Sequence, residues 1–127
     1  MRGTKTRFAS IESVNELSFG FPYDGGKATL MLRQRPTDGL NVILKISGQF
    51  LCNSFEDDTI AAKFDNGPVQ NFRCAEPTDA STGVLFIRNE KRFVAKLKKA
   101  KALTIEAGFY QQGRRQMQFD VSGLNWK

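Results

Sequence analysis

The feature that most constrains the fold of this chain is a two-residue alternation of apolar and polar side chains. It is clearest over Ala102–Tyr110, where Leu103, Ile105, Ala107 and Phe109 fall on one face. Successive side chains of a β-strand point to opposite faces, so this period indicates half-buried strands. The same alternation recurs in three further segments: Lys27–Gln34, Leu40–Ser47 and Arg115–Ser122.

Turn signals separate these segments and set the fold class. Asn66-Gly67 is the strongest hairpin signal, and it joins predicted strands over Thr59–Asp65 and Val69–Ala75. With Val14–Phe21 and Val84–Arg88 the chain has seven to nine short strands. We therefore predict a mostly β fold, an antiparallel β-sandwich or barrel. A length of 127 residues indicates one domain, expected over residues 13–127 after a polar lead-in at residues 1–12.

A single helix interrupts the strand pattern, directly before the last hairpin. Over about residues 90–100, the side chains of Phe93, Val94, Leu97 and Ala100 fall within an arc of about 120°. This spacing predicts an amphipathic helix whose apolar stripe packs on the sheet. Asn89 precedes it and is predicted to be its N-cap.

The predicted helix also carries most of the charge. The chain has a formal net charge of +6, and residues 90–101 contain six basic residues and one acid, a net of +5. One interpretation is an anion-binding face with non-specific affinity for nucleic acid. The other is a solvated face whose cations complement the helix C-terminus. The candidate anion- or partner-binding residues are Lys91, Arg92, Lys96, Lys98 and Lys99, with Arg114 and Arg115 of the next turn.

Two cysteines, Cys52 and Cys74, are 22 positions apart. A disulfide between them would contribute roughly 3 kcal/mol in the chain-entropy model and would fit an oxidising compartment. Two buried free thiols are the other interpretation. Neither cysteine lies in a CxxC motif or beside a histidine, so we expect no catalytic role for them.

The sequence offers little for catalysis or metal binding. It contains no histidine, which removes the commonest general base and metal ligand. Glu56-Asp57-Asp58 lacks the spacing of a calcium loop. We expect a non-enzymatic protein without catalytic residues, metal or cofactor. No apolar run approaches the roughly 18 residues of a membrane span, and residues 1–17 lack the apolar core of a signal peptide.

Several stretches carry a resemblance to a known group of proteins. They are GQFLC (48–52), KFDNGPVQNF (63–72), VLFIRNEKRFVAKLKKAK (84–101), TIEAGFYQQGRRQMQFDVSGL (104–124) and the terminal Asn125-Trp126. Their layout resembles uncharacterised bacterial secreted or lipoprotein-anchored domains, similar to invasion-associated locus B and type VI secretion accessory proteins. The resemblance implies a β-sandwich in the cell envelope, periplasmic or secreted, with no catalytic residues to transfer.

Three functional hypotheses follow. The first is a non-enzymatic binding or accessory domain that contacts a protein partner in the bacterial cell envelope. The second is a cytoplasmic, non-specific nucleic-acid-binding module that uses the basic helix face. The third is a small-ligand carrier or hydrolase with a Phe-lined interior. A steep salt dependence of DNA or RNA affinity would favour the second, and a Cys52–Cys74 bond would favour the first. The sequence does not indicate an oligomeric state.

Overall fold

The fold is taken from a computed structural model that describes residues 7–18, 25–36, 39–52, 58–77, 83–110, 113–122 and 124. Eight strands and one helix lie in this part of the chain. In chain order they are β1 (Arg7–Glu12), β2 (Gly25–Arg35), β3 (Gly39–Ser47), β4 (Thr59–Phe64), β5 (Val69–Ala75), β6 (Val84–Ile87), α1 (Glu90–Lys99), β7 (Ala102–Phe109) and β8 (Gly113–Asp120).

The strands form one antiparallel sheet in the order β1-β2-β3-β6-β5-β4-β7-β8. The predicted mostly β fold with one helix before the last hairpin is therefore confirmed. Within the described residues no ladder pairs β1 with β8, so the sheet is not a closed barrel. Hydrogen bonds instead join the segment directly after β1 to β8. The Val14 N–H donates to the Gln118 carbonyl over 2.7 Å, and the Gln118 N–H donates to Asn15 Oδ1 over 2.8 Å.

The sheet consists of two four-stranded halves that meet at β5 and β6. These two strands share only two residue pairs, Cys74 with Ile87 and Ala75 with Phe86. The alternate residues of both halves point inward and form a single core. Its largest buried side chains include Phe72, Phe93, Phe109, Phe119, Leu30, Leu44, Ile60 and Ile105. The alternation read from the sequence therefore identifies the core face.

Helix α1 packs against one end of this core. Phe93, Val94 and Leu97 are buried, as the predicted apolar stripe requires. The Phe93 ring meets those of Phe64 and Phe72 edge to face, with centroids 5.5 and 5.2 Å away. Such aromatic pairs add stability beyond their buried area. The helix is thereby fixed in rotation, with its charged side turned away from the core.

Asn89 occupies the N-cap position, as predicted, but it does not cap the helix in the usual way. Its backbone is left-handed, with φ 59°, and its side chain makes no capping hydrogen bond. An N-cap residue normally has extended dihedral angles that aim its side chain at the first turn. Here Asn89 instead turns the chain from β6 into the helix, a conformation that asparagine adopts more readily than most residues.

The N-terminal region also differs from the expected layout. Residues Arg7–Glu12, within the expected polar lead-in, form edge strand β1 paired with β2. Of the predicted strand Val14–Phe21, the described part makes only an isolated bridge between Leu17 and Gly26. The buried Ser13 hydroxyl accepts from the Ala28 N–H and donates to the Asn15 carbonyl. The bond with Ala28 holds Ser13 on β2, and the bond to Asn15 turns the chain locally, so the regular ladder stops until Leu17 pairs with Gly26. Residues 19–24 lie outside the described part.

Cys52 and Cys74 lie at disulfide-bonding distance, with Cα atoms 6.3 Å apart. Both are buried, and the bond ties the segment after β3 to β5. Close by, the backbones of Phe50 and Phe109 form a bridge and their rings stack with centroids 4.8 Å apart. In the described part of the chain, no helix has the length and apolar character needed to cross a membrane.

Candidate basic binding surface

The helix cations form the first part of a basic surface. Lys91, Arg92, Lys98 and Lys99 are exposed, whereas Lys96 is half-buried. Their positions follow from the inward stripe, because a helix that buries one side must present its remaining residues to solvent. Four of the five predicted helix cations are therefore accessible.

Arg92 contacts the sheet as well as solvent. Its Nη2 donates to the Asn71 carbonyl over 2.9 Å, and its guanidinium lies 4.2 Å from the centroid of the Phe72 ring. Arginine over an aromatic face is attracted by the ring quadrupole. Arg92 therefore holds the first turn of α1 against β5.

Two arginines of the sheet extend the surface beyond the helix. Arg73 is exposed on β5, and the side chain of Arg88, directly after β6, is 58% exposed. The Arg88 N–H donates to the Arg73 carbonyl over 2.7 Å, and the register places the two residues opposite each other. Adjacent strands are about 4.8 Å apart. The two guanidinium groups therefore project from the same face of neighbouring strands, an arrangement suited to binding an anion.

A surface cavity of about 410 Å³ lies at this arginine pair. It is lined by Arg73, Cys74, Ala75, Arg88, Asn89 and Glu90. The Glu90 carboxylate is 3.5 Å from Arg88 Nε, which shows that a carboxylate reaches this guanidinium. An ion pair as exposed as this contributes little to stability. With two cations and one acid the cavity retains positive charge, and arginine binds carboxylates through two parallel hydrogen bonds.

Arg114 and Arg115 do not join this surface. Arg114 pairs with Gly108, near the end of β7 that lies away from the helix, about 20 Å from Ala102. Its Nε is 2.9 Å from Glu106 Oε2, and this hydrogen bond lowers the pKa of Glu106. Arg115 donates from Nη1 to the Ser18 carbonyl over 3.2 Å. The sequence grouped these two arginines with the helix, but the structure places them at the opposite end.

Asp65 lies beyond the C-terminal end of the helix and is occupied by backbone donors. Its Oδ1 accepts from the N–H groups of Lys101 and Ala102 over 2.8 and 3.0 Å. These bonds favour the ionised carboxylate and lower the pKa of Asp65. Asp65 therefore fixes the turn between α1 and β7.

The residues that sequence reasoning missed are Arg73 and Arg88. Alternation does show that Arg73 lies outward, because Phe72 and Cys74 on either side of it point inward. The pairing of β5 with β6 carries no local signal, so the juxtaposition of the two arginines could not be read from the chain. The described residues contain no group of three or more potential metal ligands. Of the acidic stretch Glu56-Asp57-Asp58, only Asp58 is described.

Comparison with family models, curated proteins and solved structures finds no match to this chain. The resemblance to invasion-associated locus B and type VI secretion accessory proteins therefore rests on the stretches quoted above and stays a prediction.

Proposed function

We propose that this domain is a non-enzymatic binding module for an acidic protein partner. The observation that carries the proposal is the juxtaposition of Arg73 and Arg88 beside the first turn of a basic helix. Carboxylates are the natural ligands of such a surface in a protein interface, because guanidinium groups bind them bidentately. Lys91, Lys98 and Lys99 extend the positive field, which accelerates encounter with an acidic partner.

The local charge balance supports an acidic partner. The described residues 71–77 and 83–99, which run from β5 through β6 to the end of α1, contain two acids, Glu76 and Glu90. Asp58, whose carbonyl accepts from the Cys74 N–H, adds a third acid beside Arg73. Residues 71–77 and 83–99 contain seven cations: Arg73, Arg88, Lys91, Arg92, Lys96, Lys98 and Lys99. An excess of cations in one region of a small domain attracts anions over about one Debye length, roughly 8–10 Å.

Two observations favour a protein over a nucleic acid. The Cys52–Cys74 pair fits an oxidising compartment, where exported proteins are the expected partners. Single-stranded nucleic acids are usually held by aromatic side chains beside the cations. Among the described residues the strongly exposed aromatics are Phe8 on edge strand β1, which lies opposite Arg33 of β2, and Tyr110 after β7. Neither adjoins the helix cations or the pair of Arg73 and Arg88. A site of action in the bacterial cell envelope follows the resemblance and is part of the proposal.

The proposal is tested by fluorescence anisotropy with two labelled probes at about 50 and 200 mM salt. One probe is an unstructured glutamate-rich peptide, and the other is a random DNA duplex of similar charge. The test variant is Arg73→Gln/Arg88→Gln. The matched control is Lys27→Gln/Lys45→Gln, which removes the same charge from exposed positions on β2 and β3.

We expect the peptide to bind at low salt and the Arg73/Arg88 variant to lose at least about tenfold in affinity, because charge-assisted hydrogen bonds are lost. The control variant should lose much less. Tighter binding of DNA than of the peptide, lost in the same variant, would support a nucleic-acid module instead. No binding of either probe at low salt would overturn the anion-binding surface.

A further inference from the structure

The outer face of the sheet carries two parallel cross-strand rows that differ in chemistry. The basic row consists of Arg33 on β2, Asn41 on β3, Arg88 after β6 and Arg73 on β5. The apolar row consists of Met31, Ile43, Phe86 and Ala75 on the same four strands. Observed registers link Arg33 with Asn41, Met31 with Ile43, Ile43 with Phe86, and Phe86 with Ala75. Continuing the β3–β6 and β5–β6 registers by one residue places Arg88 between Asn41 of β3 and Arg73 of β5.

The apolar row is separate from the core. Leu32, Val42 and Leu85 alternate with it along the strands and point inward. Ile43 is only 3% exposed, yet it is not a member of the core cluster. Met31, Phe86 and Ala75 are half-buried and thus keep apolar surface open to solvent.

The basic row lies two residues further along each strand. Arg73 and Arg88 are exposed, and Arg33 Nη2 donates to Asn41 Oδ1 over 2.9 Å. Two residues along a strand span about 6.7 Å, and four strands span about 14 Å. An apolar strip and a cationic strip therefore run side by side across the strands.

These dimensions match those of an α-helix. At 1.5 Å per residue, about ten residues cover the 14 Å of the rows, and a helix about 10 Å in diameter reaches both rows at once. Side chains three and four positions apart project along one side of a helix at about 5–6 Å, close to the strand spacing. Acids on one flank would face the basic row, while an adjoining apolar stripe would face Met31 and Phe86.

We propose that the two rows bind an acidic amphipathic helix of the partner, lying across β2, β3, β6 and β5. This inference rests on the proposed function, because it specifies the form of the acidic partner. The positive charge of this surface favours a different protein, rather than a second copy of this chain, as the partner. An isologous contact uses the same patch on both copies and would bring the cations of two basic rows together, and α1, the helix of the described chain, also carries cations.

The experiment compares two labelled peptides of about 18 residues and identical composition. In the amphipathic peptide, glutamates and leucines occupy neighbouring flanks of a helix, whereas in the scrambled peptide they are dispersed. The test variants are Ala75→Lys and Met31→Lys, which add a cation but break the apolar row at two independent positions. Val69→Lys is the control, because it adds the same charge at an exposed position outside both rows.

We expect the amphipathic peptide to bind at least about tenfold more tightly than the scrambled one. Ala75→Lys and Met31→Lys should each weaken its binding about fivefold despite their added positive charge, while Val69→Lys should not weaken it. Circular dichroism of each variant checks that the fold is retained. Equal affinities for the two peptides would overturn the proposal that the partner segment is an amphipathic helix, and so would unchanged or tighter binding by both test variants. Either result would leave the acidic-partner proposal intact. Failure of both peptides to bind would overturn the proposed function.

Discussion

The inner and outer faces of the junction between β5 and β6 carry opposite chemistry on alternate residues of the same strands. On the inner face, Phe72, Cys74 and Ile87 are buried and join the two halves of the sheet. On the outer face, Arg73 and Arg88 lie opposite each other and are exposed. A change of one position along the strand thus separates a residue that stabilises the fold from one that is available for binding.

The difference has a physical reason. Two residue pairs provide few backbone hydrogen bonds, so the junction depends on apolar burial, the disulfide and the contact of α1 with β5. None of these requires a particular side chain on the outer face. Substitutions inside should therefore change the free energy of unfolding, and substitutions outside should change binding.

The largest effect on stability is expected at Phe93, on the buried side of α1. Phe93→Ala should lower the free energy of unfolding by about 3–5 kcal/mol, because it leaves a cavity between the rings of Phe64 and Phe72. Urea unfolding followed by circular dichroism measures this change. Lys99→Ala, on the exposed side of the same helix, is the control and should change stability by less than about 0.5 kcal/mol. Similar losses in both variants would contradict the packing described here.

The disulfide should give the next largest effect. Cys52→Ser/Cys74→Ser should lower the free energy of unfolding by about 2–4 kcal/mol, because the open chain gains entropy when unfolded. Reductant should destabilise the wild type and leave the double variant unchanged. Thiol titration of the unfolded protein without reductant provides the check, and two reactive thiols would show that the bond is absent.

The outer face should respond much less. Arg73→Gln removes an exposed charge from β5 and leaves the buried Phe72 and Cys74 on either side of it in place. The free energy of unfolding should change by less than about 1 kcal/mol, because the polar contacts of exposed side chains contribute little to stability. Thermal unfolding at two salt concentrations measures it. A loss above about 1 kcal/mol would mean that Arg73 stabilises the junction and that the two faces are not separate in function.

The smallest effect is expected on the stability of the fold at low pH. The pKa of Asp65 lies below its ordinary value of 3.8, chiefly because its carboxylate accepts the backbone N–H groups of Lys101 and Ala102. A carboxyl group with a lowered pKa in the folded state stabilises the fold above its unfolded pKa, and this contribution is lost as the pH falls below about 3.8 towards the folded pKa. Asp65→Asn should therefore show a smaller loss of stability than the wild type between pH 5 and about 3. Identical pH profiles would show that this carboxylate does not contribute.

The sequence was sufficient to predict the helix and the strands in which apolar and polar side chains alternate. Leu103, Ile105 and Phe109 are buried as predicted, because their alternation records one solvent-facing and one core-facing side. The predicted strand at Val14–Phe21 was not found in its described part, because the Ser13 hydrogen bonds that turn the chain depend on β2. Similarly, Arg114 was grouped with the helix because the two are close in sequence. The position of Arg73 beside Arg88 depends on strand order, which local patterns do not encode.

The most direct test of the acidic-partner surface is a nuclear magnetic resonance titration of the ¹⁵N-labelled protein with the glutamate-rich peptide. We expect the largest amide shifts at Arg73, Arg88, Asn89 and Lys91, with little change at Lys27 and Lys45. Saturation of these shifts with one common affinity would support a single surface at the junction of β5, β6 and α1. Shifts that centre on Arg114 and Arg115, or that spread evenly over the exposed cations, would contradict it.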